Sequence, residues 1–493
     1  MTTAQERARD SFFADRHEDP RALRVCEGTS CALAGAAQLR QKLSAEGPCR
    51  RIDCAGFCDR SPVALEPDGR AVGLRRAHGA IERAPLEPLS AIRTRSRVAI
   101  VTERIARGEF CDLARAREAG VWHGFERALR GAPEAVLRAL EASGERGRGG
   151  GAFPTGAKWR AAARSAGSDK YAIANGDEGD PGSFIDRALL EADPHAVLEG
   201  LALCGFALGA RHGIVYIRSE YPRAAARVER AIAEARAAGL LGRGILGTGF
   251  DFDVRVARGE GSYVCGEETA LLEALEGRRG EVRLRPPYPS ERGLFGRPTV
   301  VNNVETLVNA AWIVRMGADA YRALGTSESH GTKALCLNAG FASPGIVEVE
   351  FGTPLAEVIA AASAPAQRLR AVLLGGPMGA ILAPSEWDVP ICWEALRARG
   401  IALGHGGIVA VPESADLRAL VLGWLGFMAR ESCGKCVPCR NGSGRALELA
   451  RAGARGELLE LLDVISAASL CGFGQDMPKP IRRLVESFGA LDR

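Results

Sequence analysis

Cys433, Cys436 and Cys439 stand in the spacing C-x2-C-x2-C, and Cys471 follows at a distance in the turn SLCGFG. Three thiolates from one loop and a fourth from elsewhere can take the four corners of a [4Fe-4S] cubane, and the small neighbours Gly434 and Gly472 let backbone approach the sulfurs. Structural zinc is the alternative, although zinc sites usually pair two C-x2-C knuckles or add histidine, and neither stands near this triplet. A second set, Cys26-x4-Cys31 and Cys54-x3-Cys58, flanks a helical stretch containing Gln38 to Ala45. Two pairs at the ends of a βα unit suit a [2Fe-2S] centre; zinc, or cysteines that bind nothing, are the competing readings. Cys49 lies in the same loop with a spacing that fits neither pair, and the scattered Cys111, Cys204, Cys265, Cys336 and Cys392 read as small buried core thiols.

Between the cysteine sets, Gly147, Gly149, Gly150 and Gly151 precede Lys158 in GRGGGAFPTGAKW. Bare backbone N–H groups and one cation suit a phosphate, although the pattern is not the six-residue dinucleotide fingerprint and such loops are often plain turns. The run NGDEGDPGS, with Asn175, Asp177, Glu178 and Asp180, follows the apolar stretch YAIA. That places an amide and carboxylates at the carboxyl end of a strand, where α/β folds bind ligands and where acids can hold sugar or ribityl hydroxyls. Two more polar segments follow, one with Tyr263, Gly266, Glu267 and Glu268 leading into a leucine-spaced helix, the other with Asn302, Asn303 and Thr306. Any one of them alone could be a polar turn.

These residues need scaffolds, and 493 residues suffice for several domains. Residues 20–85 alternate short β-like runs with an alanine- and leucine-rich helical stretch, and 86–142 read as a helical, arginine-rich connector. Residues 143–330 alternate glycine turns, apolar runs and helical stretches, an α/β pattern. Residues 331–415 form a β-rich unit without obvious chemistry, in which His405 of LGHGG reads as a turn residue. Residues 416–493 show helical periodicity broken by the cysteine loop. A net charge of +4, with 25% charged residues, gives no reason to expect nucleic acid. The charged start has no secretory core and the apolar stretch Leu198 to Ala210 is too short to cross a bilayer, so we expect a cytoplasmic protein without direct membrane insertion. Fourteen cysteines in a reducing compartment favour metal or redox chemistry over disulfides.

In this order, GRGGGAFPTGAKW, NGDEGDPGSF, YVCGEETALLEALEG, GRPTVVNNVET and ESCGKCVPCR resemble the NADH-binding flavoprotein subunit of respiratory complex I and its relatives in NAD-reducing hydrogenases and NAD-dependent formate dehydrogenases. The N-terminal cysteine segment separately resembles the thioredoxin-like [2Fe-2S] ferredoxin of these enzymes. The resemblance implies a multidomain α/β chain: a thioredoxin-like unit, a Rossmann-like FMN and NADH domain, a ubiquitin-like β-grasp domain and a helical [4Fe-4S] bundle. It implies that Gly147, Gly149, Lys158, Asn175, Asp177, Tyr263, Gly266, Glu267, Asn302, Asn303 and Thr306 contact FMN. Gly150, Phe153, Glu178, Asp180, Tyr263, Glu268 and Tyr288 would surround NADH. The chain departs from the pattern in three places: GGAFP where relatives show GAGFP, Asp180 where they often have glutamate, and Tyr288 where they often have phenylalanine. An acid beside the adenosine ribose would accept its hydroxyls and repel a 2′-phosphate, so NAD(H) is expected over NADP(H). The implied activity is an NADH:acceptor oxidoreductase, a diaphorase passing electrons to or from partner redox subunits. Those partners would be a small [2Fe-2S] ferredoxin-like subunit and a catalytic subunit. The N-terminal fusion favours a soluble relative over complex I, and the resemblance of GGPMGA and LGHGG points to a formate dehydrogenase, with a hydrogenase or complex I as the alternative. A metal-binding assembly scaffold without redox activity is the reading from another class.

Overall fold

The computed structural model describes residues 3–492 apart from 79, 88, 89, 168, 365 and 366. In the first sheet, β1 (Leu23–Cys26) and β2 (Cys49–Ile52) run parallel around the helices Thr29–Leu33 and Ala36–Leu43. β3 (Val63–Leu65), β4 (Ala71–Ala77) and β5 (Ala80–Pro85) continue as an antiparallel meander, giving the order β2-β1-β3-β4-β5. The following segment, expected to be a helical connector, opens instead on a strand, β6 (Ile92–Thr94), which joins the third sheet described below. Only then come the helices Leu113–Glu118, His123–Leu129 and Pro133–Ser143.

The second sheet is wholly parallel: β7 (Tyr171–Gly176), β8 (His212–Ile217), β9 (Asp253–Arg258) and β10 (Thr299–Asn303), in the order β10-β7-β8-β9. Strands covered on both faces must be apolar on both, and these are. Ala172, Ala174, Val215 and Val300 join one core, while Ile173, Ile214, Tyr216 and Val301 join another on the opposite face. The first face packs against helices Pro194–Leu208 and Val304–Met316; the former is buried along its whole length. The apolar stretch seen in the sequence is therefore core, as an all-round apolar helix should be. Among the described residues no helix is long and apolar enough to cross a membrane. The second face is covered by Leu271, Leu272 and Leu294 together with Phe13, which reaches it from the N-terminal segment and is 1% exposed.

β11 (Thr332–Leu337), β12 (Gly345–Glu350), β13 (Leu369–Leu374), β14 (Ala380–Leu382) and β15 (Gly407–Pro412) complete a mixed sheet, β14-β13-β15-β11-β12-β6. The C-terminal residues form the helices Leu417–Glu431, Val437–Ala452, Arg455–Ala468, Gly472–Asp476 and Pro478–Glu486, packed around a core they share with Leu373, Ile381 and Val409 of the third sheet.

Candidate functional site

β8 lies on one side of β7 and β10 on the other, so the crevice at the carboxyl ends of β7 and β10 is the switch point of the parallel sheet. The register sets Asn303 beside Asn175 there. Asn175 Nδ2 donates to the Gly266 carbonyl at 2.8 Å, while its Oδ1 accepts from the Asp177 N–H at 3.0 Å. The glycine loop closes over the same edge. Gly147 N–H donates to the Phe153 carbonyl at 2.9 Å, Arg148 N–H donates to Thr306 Oγ1 at 2.9 Å, and Gly149 rests against Asn303. Lys158, on helix Thr155–Arg164, donates to Glu268 at 2.7 Å and to the Val301 carbonyl at 2.8 Å. Burial works against an ionised Glu268, yet Lys158 and Arg285 hold its carboxyl below the ordinary carboxylate range.

Two side chains expected to face a ligand are engaged elsewhere. Glu267 caps helix Glu268–Leu275 by accepting from the Thr269 and Ala270 N–H groups, each at 2.9 Å. Asn302 turns into the core, where it accepts from Trp159 Nε1 at 3.2 Å and faces Cys204 Sγ at 3.6 Å. Asp177 does the opposite: its Oδ2 is buried and has no hydrogen-bond partner among the described residues. Burial pushes this carboxyl up to about 8. The folded chain thus keeps a proton that the unfolded chain releases, so Asp177 adds stability that is full at low pH and is lost as pH rises through about 8. In the flavin-free protein, melting temperature should therefore fall less between pH 5 and 8 in Asp177→Asn than in the unsubstituted chain. Parallel melting curves for the two would contradict this.

Beside this crevice Tyr263 donates to Asp180 Oδ1, and its ring lies so close to Gly179 that a Cβ there would stand 2.6 Å from it. Glu178 is buried and accepts from the Asp186 and Arg187 N–H groups at 3.1 and 3.0 Å and from the Tyr221 hydroxyl at 3.2 Å. Burial and the neighbouring Asp186 push its carboxyl up to about 7. Phe153 and Tyr288 are 58% and 54% exposed, and among the described residues no hydrogen bond ties the Tyr288 side chain to the rest of the set. The changed GGAFP segment has a conformational consequence. Gly150 takes φ +107°, which glycine tolerates, but Ala152 takes φ +49°, where a Cβ is strained and where relatives were expected to offer glycine. The Ala152 methyl is buried in the core of the third sheet, a contact glycine would lack.

That third unit, expected to be without chemistry, reaches the crevice. Gly404 packs against Gly150 and Gly376 against Asp180. His405 does sit in a turn, but its ring is buried, with Nε2 3.2 Å from Asp186 Oδ2 and Nδ1 3.5 Å from Glu178 Oε1. A lone histidine in a glycine-rich turn carries no periodic signal, so only the tertiary structure reveals Asp186 and His405 as members of the site.

The C-terminal cysteines converge at helix starts. Cys436 precedes helix Val437–Ala452, Cys439 lies in its first turn, Cys471 precedes Gly472–Asp476, and Cys433 follows Leu417–Glu431. Cys433, Cys439 and Cys471 are buried together and Cys436 is half-buried. Arg279 Nε donates to the Cys433 carbonyl at 3.0 Å. Tyr263 links this region to the crevice, with its ring centroid 4.9 Å from that of Phe427 and 5.5 Å from that of Phe473, two residues past Cys471. In the N-terminal unit all four cysteines, Cys26, Cys31, Cys54 and Cys58, are buried. Cys54 and Cys58 sulfurs lie 3.8 Å apart, about the separation of two thiolates on one tetrahedral metal. The strand register separates Cys49 from this group. It pairs with Leu23, whereas Cys26 pairs with Ile52, at the other end of the strands.

Residues 140–312 match the family described as Nuo51 FMN-binding domain, and residues 419–491 match the NADH-ubiquinone oxidoreductase-F iron-sulfur binding region. The NADP-reducing hydrogenase subunit HndC of Solidesulfovibrio fructosivorans is 43% identical over 378 residues, covering 74% of this chain and 77% of that protein. The chain belongs to the family of NADH-oxidising flavoprotein subunits. Another relative, the NADH-quinone oxidoreductase F 2 subunit of Rhizobium meliloti, is 41% identical over 383 residues, covering 74% of this chain and 91% of its own. A chain of an NAD+-reducing [NiFe]-hydrogenase, solved in its H2-reduced state, covers 100% of this chain and 87% of its own, at a TM-score of 0.85 and 31% identity. Like other members of that family, this flavoprotein is an oxidoreductase that binds FMN and a [4Fe-4S] cluster and uses NADH. Its residues fit both groups: the buried Asp177 Oδ2 has no partner among the described residues and can meet a ligand hydroxyl, and the four C-terminal thiols supply the donor count of a [4Fe-4S] cluster.

Proposed function

We propose that the flavin site is built from Gly147, Gly149, Lys158, Asn175, Asp177, Tyr263, Gly266, Asn303 and Thr306, with Glu267 and Asn302 shaping it from behind. The orphaned Asp177 oxygen beside the Asn175–Gly266 contact carries this reading. When bound, FMN supplies two-electron exchange with NADH and one-electron exchange with iron–sulfur centres. The chain's own task is to bind, orient and exclude water. Lys158 offers a cation to the phosphate. Phe153 and Tyr288 offer exposed faces on which a base or nicotinamide can stack, and Gly150, Glu178, Asp180 and Glu268 complete the nucleotide side. No side chain is assigned a proton-transfer step.

The N-terminal sheet is read as the thioredoxin-like [2Fe-2S] unit, with Cys26, Cys31, Cys54 and Cys58 as ligands; the 3.8 Å sulfur pair supports it. The second, third and C-terminal units are read as Rossmann-like, ubiquitin-like and helical cluster domains. The assembly served is a soluble NAD-dependent formate dehydrogenase: the N-terminal fusion favours a soluble relative over complex I, and the resemblance of GGPMGA and LGHGG favours formate dehydrogenase among these. The full-length likeness to a hydrogenase chain favours a second reading, the diaphorase of an NAD-reducing hydrogenase.

Anaerobic purification with a visible spectrum, iron and FMN assays, and NADH-driven ferricyanide reduction test the core of this. About six irons per chain support both clusters and about four only the C-terminal one; a reconstituted chain that binds neither FMN nor NADH overturns the reading. Formate-dependent and H2-dependent NAD+ reduction by the complex isolated with its partners separate the two assemblies. At the nucleotide, Asp180→Asn should raise the NADPH-to-NADH ratio of kcat/KM. An unchanged ratio would remove Asp180 from the discrimination.

A further inference from the structure

The loop between Gly404 and Gly406 carries His405 out of the third sheet and into the wall of the flavin crevice. Its two ring nitrogens face acids from two different segments: Nδ1 faces Glu178, after β7, and Nε2 faces Asp186, on helix Ile185–Ala192. The Asn303 amide, at the end of β10, donates to the same Asp186 oxygen at 2.6 Å and lies 3.1 Å from His405 Nε2. All three titratable groups are buried, and their donor atoms lie within 4.8 Å of one another. Two further charges bear on the ring. Asp180 favours its cationic form, and Lys333 opposes it but is itself paired with Glu305. Despite burial, the two acids hold the imidazole's pKa up at about 9, so at neutral pH the network comprises one cation and two acids. Because both ring nitrogens already face carboxylates, the group is better described as an ion-paired network than as a metal site.

We propose that His405 is a positioning residue of the flavin site, whose imidazolium ties Glu178, Asp186 and Asn303 into one network and biases bound FMN toward its reduced form. The inference rests on the flavin site proposed above. A cation near a redox group stabilises the form with more electrons; Glu178 and Asp186 offset part of that charge, so taking away the imidazolium alone leaves their negative charge, weakly screened in a buried wall, to oppose reduction. The same contacts fasten the third sheet to the flavin crevice, which accounts for a β unit with no ligand motif of its own contributing to the site.

The test is spectroelectrochemical titration of the FMN midpoint potential in the purified holoprotein. His405→Gln keeps a hydrogen-bonding group but removes the charge, and should lower the potential. His405→Lys restores charge and should return it toward the starting value. Asp186→Asn removes one negative charge and should shift it the opposite way, upward; this keeps the proposal testable if His405→Gln folds poorly. Normal FMN content with unshifted potentials in His405→Gln and Asp186→Asn overturns this inference alone. Shifts of the same sign in both variants also overturn it, since they indicate disruption rather than charge. A divalent cation bound at one per chain and lost in His405→Gln would replace the network with a metal site and overturn it. Unsubstituted protein that binds no FMN overturns the flavin reading itself.

Discussion

Serine at Cys433, Cys436, Cys439 or Cys471 is expected to remove the [4Fe-4S] centre, lowering iron by about four atoms per chain. The four thiols join two separate helix starts, so losing any corner removes the cluster that cross-links them and leaves the other thiols unligated. The C-terminal helices should then melt at a lower temperature. NADH should still bleach the bound flavin, because the crevice at β7 and β10 draws no ligand from those cysteines. Electron delivery to a partner chain should drop sharply. Iron analysis beside stopped-flow absorbance reads both effects, and full iron content in a serine variant would displace that residue from the ligand set. The N-terminal set offers a control. Serine at Cys54 or Cys58 should cost about two irons, whereas Cys49→Ser should cost none, because the strand register carries Cys49 to the far end of β2.

Lys158→Ala should weaken FMN binding by about 10- to 100-fold, the equivalent of one charge-assisted hydrogen bond contributing about 1.5–3 kcal/mol. The loss also frees Glu268, whose carboxylate Lys158 holds at 2.7 Å, so a negative charge next to the crevice is left with Arg285 as its remaining partner. Lys158→Arg, which keeps the charge, should recover part of the affinity. Fluorescence titration of flavin-free protein with FMN measures each Kd. Equal affinity in Lys158→Ala and the unsubstituted protein would move the phosphate elsewhere on the glycine loop.

Much of this chemistry was legible before any fold was known, because it depends on residue types at short spacing. The cysteine triplet, the glycine loop before Lys158, and the NGDEGDPGS and VVNNVET turns each declare a local geometry that their own backbone largely dictates. The α/β character of the second unit was equally legible from runs such as YAIAN and GIVYI alternating with helices, while the strand pairing shows that its sheet is wholly parallel. Harder to read was anything set by distant partners. β6 is three residues in a polar, arginine-rich stretch and is a strand because β12 pairs with it. Phe13 lies in a charged leader and is core because one face of the second sheet needed covering. Glu267 and Asn302 carry the right motif but face a helix end and the core.

The sequence by itself therefore determined the redox class and the FMN and [4Fe-4S] cofactors, since motif spacing within a loop limits what its donors can bind. Only the tertiary structure decided that His405 and Asp186 belong to the crevice and that Asp177 retains an unpartnered oxygen. Those facts are set by which buried charges meet across units far apart in the chain. Local spacing does not encode such meetings.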